Sequence, residues 1–114
     1  MLLMMAFSIG GYGQCYIISY SGSQRVLKVD GDYAYTYSGN QRIYKFEGEY
    51  LVGYNNYRRL LKFDGQYIIS YATNKRIAKL DGQYVIEYAS NKRIAKLDCP
   101  GGRSALAAAA YFLL

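Results

Sequence analysis

The stretch DGQYVIEYASNKRIAKL, residues 81–97, reads as one β-hairpin of fixed length, and the seventeen residues before it, DGQYIISYATNKRIAKL (64–80), nearly repeat it. Tyr16, Tyr33, Tyr50, Tyr67 and Tyr84 recur at that spacing, as do Arg25, Arg42, Arg59, Arg76 and Arg93. Lys28, Lys45, Lys62, Lys79 and Lys96 follow the same period. Five units therefore run 13–29, 30–46, 47–63, 64–80 and 81–97. A fixed period of this size decides the architecture before any local propensity is weighed.

Each unit carries two strand-like runs, such as YIISY and RIAKL, separated by turn-forming residues. Between units stands Asp-Gly or Glu-Gly, which suits a two-residue type I′ hairpin turn with Asp and Gly as its central pair, both at positive φ. Inside each unit stand SGS, SGN, NNY, ATN or ASN. An odd period cannot arise from two two-residue turns, because side chains alternate with period two and the tyrosines would change face from unit to unit. A three-residue inner turn, for example Thr73-Asn74-Lys75, restores the parity. The same turn lengths stagger the pairing by about one residue per strand, the shear of a closing barrel tilted by about 36°. Ten such strands enclose a radius of about 9–10 Å, too wide for side chains alone and wide enough for one slim helix.

The C-terminal RSALAAAAYFLL supplies such a helix after the breaker CPGG (99–102). Ser104 is the expected N-cap. The tail is apolar on all sides, as an enclosed helix should be. The expectation is thus an all-β, closed antiparallel meander barrel of ten or eleven strands with a hydrophobic helix inside. As one domain it divides into an apolar strand or partial repeat (1–12), five hairpin repeats (13–97), a linker (98–102) and the central helix (103–114).

With a three-residue turn, one face of the last unit carries Tyr84, Ile86, Tyr88, Ile94 and Lys96, and the other Gln83, Val85, Glu87, Arg93, Ala95 and Leu97. Burying five lysines around a helix is costly, so the Tyr/Lys face is placed outward. Val85, Ala95 and Leu97 then point inward with Ile17, Leu51 and Ile68, and Ala34, Ala78 and Ala95 leave room for the helix. Arg93 and its counterparts fall on the inner face too, from which they must reach to the rim.

Composition limits function. The 114 residues include 15 Tyr, no His and no Trp, and apolar residues make up 52%. No metal-spacing Cys/His cluster or phosphate-cradling loop is present, and GGYG (10–13) is no nucleotide fingerprint. The acids cluster in or beside the Asp-Gly turns, where turn chemistry accounts for them. The reading is non-enzymatic, with no cofactor and no metal. Net charge is +6. A barrel places Arg25, Arg42, Arg58, Arg59, Lys75, Arg76, Lys92 and Arg93 at the inner-turn rim, with Glu87 the one acid near them. The opposite rim holds five lysines and seven acids. A cationic ring suits anionic membrane lipid. Nucleic acid ranks below it, because the recurring Tyr–Lys pairs are explained as cross-strand packing.

Cys15 and Cys99 meet at the Asp-Gly rim once the barrel closes. Two free thiols are the favoured state, with a seam disulfide as the alternative in an oxidising compartment. The apolar ends of the chain, each 11 residues, fall short of the roughly 20 needed to span a bilayer as a helix. The first residues lack the positive charge of a secretory signal. A cytoplasmic or peripheral-membrane location follows as the expectation.

The pattern DG-x-Y-x-x-x-Y-x-x-N-x-RI-x-K-x-DG, covering 13–98, resembles the bacterial β-flower (four-fold β-flower) domains. That family is similar in shape to the Tubby C-terminal domain, a barrel around a hydrophobic helix that binds phosphoinositides. The resemblance implies a plugged barrel and, by analogy of shape, a lipid-facing role. This chain departs from it in having five units and an alanine-rich tail. The repeats also resemble, more weakly, the tyrosine-aspartate shell repeats of secreted bacterial toxins, which imply an open sheet. The expected function is a small binding or scaffold module, monomeric if the barrel closes, that docks on anionic lipid. The alternative is a self-assembling tyrosine-rich meander that forms oligomers or fibres.

Overall fold

A computed structural model describes residues 14–114. The strands are β1 (Cys15–Ser19), β2 (Arg25–Asp30), β3 (Tyr33–Thr36), β4 (Arg42–Glu47), β5 (Tyr50–Gly53), β6 (Arg59–Asp64), β7 (Tyr67–Ser70), β8 (Arg76–Asp81), β9 (Tyr84–Glu87) and β10 (Arg93–Leu97), followed by helix α1 (Gly102–Leu113). Every strand pairs antiparallel with its sequence neighbours, and β1 pairs with β10, so the ten strands form a closed meander barrel. The partial repeat expected over residues 1–12 lies outside the described residues.

Both turn types differ from the sequence reading. At the outer end Asp81 pairs with Tyr84, so the central residues of the turn are Gly82 and Gln83. Gly31, Gly48, Gly65 and Gly82 hold φ of 65°, 60°, 69° and 64°, whereas the residue after each is not left-handed. Positive φ at the first central position alone is the signature of a type II′ turn, with glycine there. The inner turn has four residues, not three. The Ser70 N–H donates to the Lys75 carbonyl at 2.9 Å, and the Asn74 N–H to the Ser70 carbonyl at 2.7 Å. Asn74 takes the left-handed conformation at φ 59°, as Ser23, Asn40, Tyr57 and Asn91 do in their loops. Parity is restored one step later by a β-bulge. Ile69 lies opposite Arg76 but Ile68 lies opposite Ala78, so one residue of β8 is skipped. The same shift follows the other four inner turns.

The barrel interior is built as expected. Ile17, Ala34, Leu51, Ile68 and Val85 are fully buried, as are Leu27, Leu61, Ala78 and Ala95. Small and large residues alternate across pairs: Ala34 faces Tyr44, and Ala78 faces Ile68. α1 fills the space left. Its residues Ser104 through Ala110 are buried without interruption, which spans about two turns and so covers every face of the helix. Ser104 is not the N-cap. Gly101 holds that position, with no side-chain cap bond, and Ser104 sits inside the first turn.

Cys15 and Cys99 form a disulfide, contrary to the favoured free thiols, with Cα atoms 5.5 Å apart. Closure brings them together, for the Asp98 N–H donates to the Tyr16 carbonyl at 3.0 Å across the seam. Among the described residues no helix is long and apolar enough to cross a membrane.

Candidate functional site: an arginine–tyrosine belt and a basic end

The bulge decides where the arginines go. With one residue skipped, each arginine leaves the inner face and joins the tyrosine face outside. Arg93 therefore does not reach out from the interior; its guanidinium carbon lies 4.1 Å from the centroid of the Tyr84 ring. Arg25 over Tyr16, Arg42 over Tyr33 and Arg59 over Tyr50 repeat the stack at 4.1 Å, and Arg76 over Tyr67 at 3.8 Å. Each of these tyrosines also meets the first tyrosine of another unit's inner turn edge to face. The pairs are Tyr16–Tyr37, Tyr33–Tyr54, Tyr50–Tyr71, Tyr67–Tyr88 and Tyr84–Tyr20, with centroids 5.8 to 6.1 Å apart. The last pair crosses the seam, so the belt closes on itself as the barrel does.

Cross-strand register explains the arrangement. Each belt tyrosine lies directly opposite a lysine: Tyr33 opposite Lys45, Tyr67 opposite Lys79, Tyr84 opposite Lys96. Each arginine lies opposite an outward aliphatic or aromatic residue, namely Ile18, Tyr35, Val52, Ile69 or Ile86. Val52 and Ile86 are buried although they sit outside the barrel. The alkyl stems of the flanking Arg and Lys cover such residues, as amphipathic side chains do. Where Tyr35 replaces the aliphatic, Arg42 Nε donates to its hydroxyl at 3.3 Å. The hydroxyls of Tyr35 and Tyr54 hold the Arg42 guanidinium more firmly protonated than usual.

The eight cations expected at the basic rim thus fall into two groups. Arg25, Arg42, Arg59, Arg76 and Arg93 stack on the wall just past the inner turns. Arg58, Lys75 and Lys92 are the last residues before the strands and lie exposed in the loops. Among the described residues none of the eight forms a salt bridge; the ion pairs are Lys45–Glu47 at 3.4 Å, Lys62–Glu49 at 3.5 Å and Arg103–Asp32 at 3.1 Å, all towards the other end. Glu87 accepts a hydrogen bond from Ser90 Oγ at 2.6 Å instead of meeting a cation. Pairing with Glu47 likewise raises the affinity of Lys45 for its proton.

α1 orients the two ends. Arg103 Nη1 donates to the Gly31 carbonyl at 2.7 Å, which fixes the helix N-terminus at the acid-bearing turns. Gly102 passes so close to Phe63 that a Cβ there would lie 2.9 Å from the ring. The acids of those turns surround the positive end of the helix dipole, and the basic end surrounds its negative end. Burial of the Tyr44 phenol, next to the inner turns, and the nearby Tyr111 both disfavour its phenolate, so its pKa is raised. Tyr111 stands near the C-terminal end of α1, away from Arg103 and the acid-bearing turns.

The sequence reading named the basic residues but not their stacking partners. The signal was in the repeat: an arginine fixed in phase with a tyrosine in all five units. Fold and surface together define a closed, five-fold hairpin-repeat barrel plugged by its own helix. No family model, curated protein or solved structure matches the chain.

Proposed function

We propose that this protein is a non-enzymatic docking module that adsorbs on anionic membrane lipid through its inner-turn end. The observation that carries the reading is the segregation of charge among the described residues: eight cations without a carboxylate partner at one end, and the ion-paired acids at the other. The five stacked guanidiniums support it further. A guanidinium held face-down on a ring keeps its in-plane N–H donors for a phosphate or carboxylate, already ordered. Each basic residue near such a surface contributes about 1 kcal/mol. Half-exposed tyrosines at the same end fit a membrane interface, where the ring sits at headgroup level.

Nucleic acid is the weaker reading, because the belt tyrosines each have one face already covered by an arginine. Edge-to-edge assembly needs an open strand, and the closed barrel leaves none among the described strands.

The test is co-sedimentation with phosphatidylcholine vesicles, with and without phosphatidylserine. Binding is expected only to the anionic vesicles and is expected to fall as salt rises. Replacing the loop cations (Arg58→Gln, Lys75→Gln, Lys92→Gln) weakens it without touching the stacked belt. Equal sedimentation with neutral vesicles, or indifference to salt, overturns the electrostatic reading.

A further inference from the structure

We infer that the protein meets the membrane end-on, barrel axis upright, with the C-terminal end of α1 as the element that enters the interface. This rests on the lipid-docking reading above. Arg103 anchors the helix at the acidic end, and twelve residues carry it about 18 Å along the axis. Its last residues emerge in the middle of the basic end. Leu114 is 64% exposed and Tyr111 43%, and Phe112 and Leu113 are half-buried beside them. Tyr111 and Phe112 meet edge to face at 5.1 Å. The basic end therefore has an apolar hub at its centre and cations around its circumference.

Five-fold repetition selects the orientation. The inner turns stand at equivalent heights around the axis, so a plane across that end meets all five units together. A plane along the wall meets about two units, with their outward lysines, and leaves the cations of the other three facing water. The upright pose brings all eight cations of the basic end to the surface at once, whereas the wall over two adjacent units presents at most six, and the acids of the opposite end come with them. It also removes the exposed leucine and tyrosine at the hub from water, which a side-on pose does not. The opposite end, with its acids, faces away.

The chain contains no tryptophan, so a single one reports its own surroundings. Three tryptophan variants report the pose: Tyr111→Trp at the hub, and Tyr37→Trp and Tyr88→Trp in two inner turns two-fifths of a circuit apart. Each is mixed with phosphatidylcholine–phosphatidylserine vesicles containing brominated chains. Upright docking shifts the hub emission to the blue and quenches it, and quenches the two turn reporters equally. A fourth variant, Leu114→Ser, is expected to fold like the parent by circular dichroism and to sediment less with the anionic vesicles at a given salt concentration. Sedimentation with an unshifted hub reporter, or with one turn reporter quenched and the other not, overturns the upright pose while leaving lipid docking intact. No sedimentation with anionic vesicles overturns both.

Discussion

Gly82 and Asn74 both hold positive φ, at 64° and 59°, for different reasons. Gly82 opens a type II′ turn, where any Cβ is strained; an added Cβ would meet nothing within 4 Å, so the strain is purely in the backbone. Gly82→Ala is therefore expected to cost about 1 kcal/mol, read as a lower urea midpoint with an unchanged slope. Asn74 tolerates the left-handed region already, and Asn74→Gly should change stability by no more than a few tenths of a kcal/mol, read from the same urea curve. Tyr44 adds a pH dependence. Its folded pKa is raised by burial, so the unfolded chain ionises first, near the ordinary value of 10.0. Its contribution is whole below that pH and is lost as pH climbs towards the raised folded value. Tyr44→Phe is expected to narrow the fall in stability between pH 9 and pH 11 (roughly the phenol range), measured by denaturation at each pH. The turn glycines and asparagines were legible in the sequence; their placement within the turns was not. Asp-Gly suggests itself as a central pair, yet pairing Asp81 with Tyr84 lets the aspartate join the strand and leaves Gly82 the strained place.

Among the elements, the bulged strand and the helix behave as opposites. The helix was legible because its chemistry is uniform: alanines for width, and apolar residues on every face. The bulge was not, because period-two logic admits two solutions to an odd repeat, an odd turn or an even turn with a skipped residue. The discriminating clue was an energetic conflict. An odd turn sends five arginines inward beside Ala95 and Leu97, and that burial has no partner to offset it. The skipped residue removes the conflict and sets each guanidinium on a tyrosine ring. The helix makes its own prediction. Leu106 is the largest fully enclosed side chain of α1, at 2% exposure. Leu106→Ala should cost about 2–5 kcal/mol, since a surrounding barrel has little freedom to collapse. Ala108→Leu should also destabilise, by about 1–3 kcal/mol, because the alanine is fully buried against the wall. Thermal melts of both variants check that the helix is neither loose nor replaceable by a wider one.

At the scale of the molecule, the number of units is set by what the barrel encloses. Eight strands make an interior that side chains alone fill, whereas ten leave room for a helix. A chain with residues 64–80 removed keeps every local signal, since Asp64-Gly65 and Asp81-Gly82 open equivalent units. It also keeps the cysteines, whose disulfide closes the seam over a separation of 84 residues and limits the unfolded chain by up to about 4–5 kcal/mol. If local hairpins alone specified the fold, this deletion would give an eight-stranded barrel of similar stability. The fit between wall and plug argues otherwise. Ala34, Ala78 and Ala95 are fully buried against the helix, so in a narrower barrel the remaining large residues Ile17, Leu27 and Leu51 compete with α1 for the axis. The four-unit chain is expected to expel its tail. Protease should then cleave between Cys99 and Leu114 in the deletion and not in the parent. The helical part of the far-ultraviolet circular dichroism should fall with it. Retention of a protected helix in four units would mean that the barrel adapts to its plug, and that the count of five is not fixed by the helix.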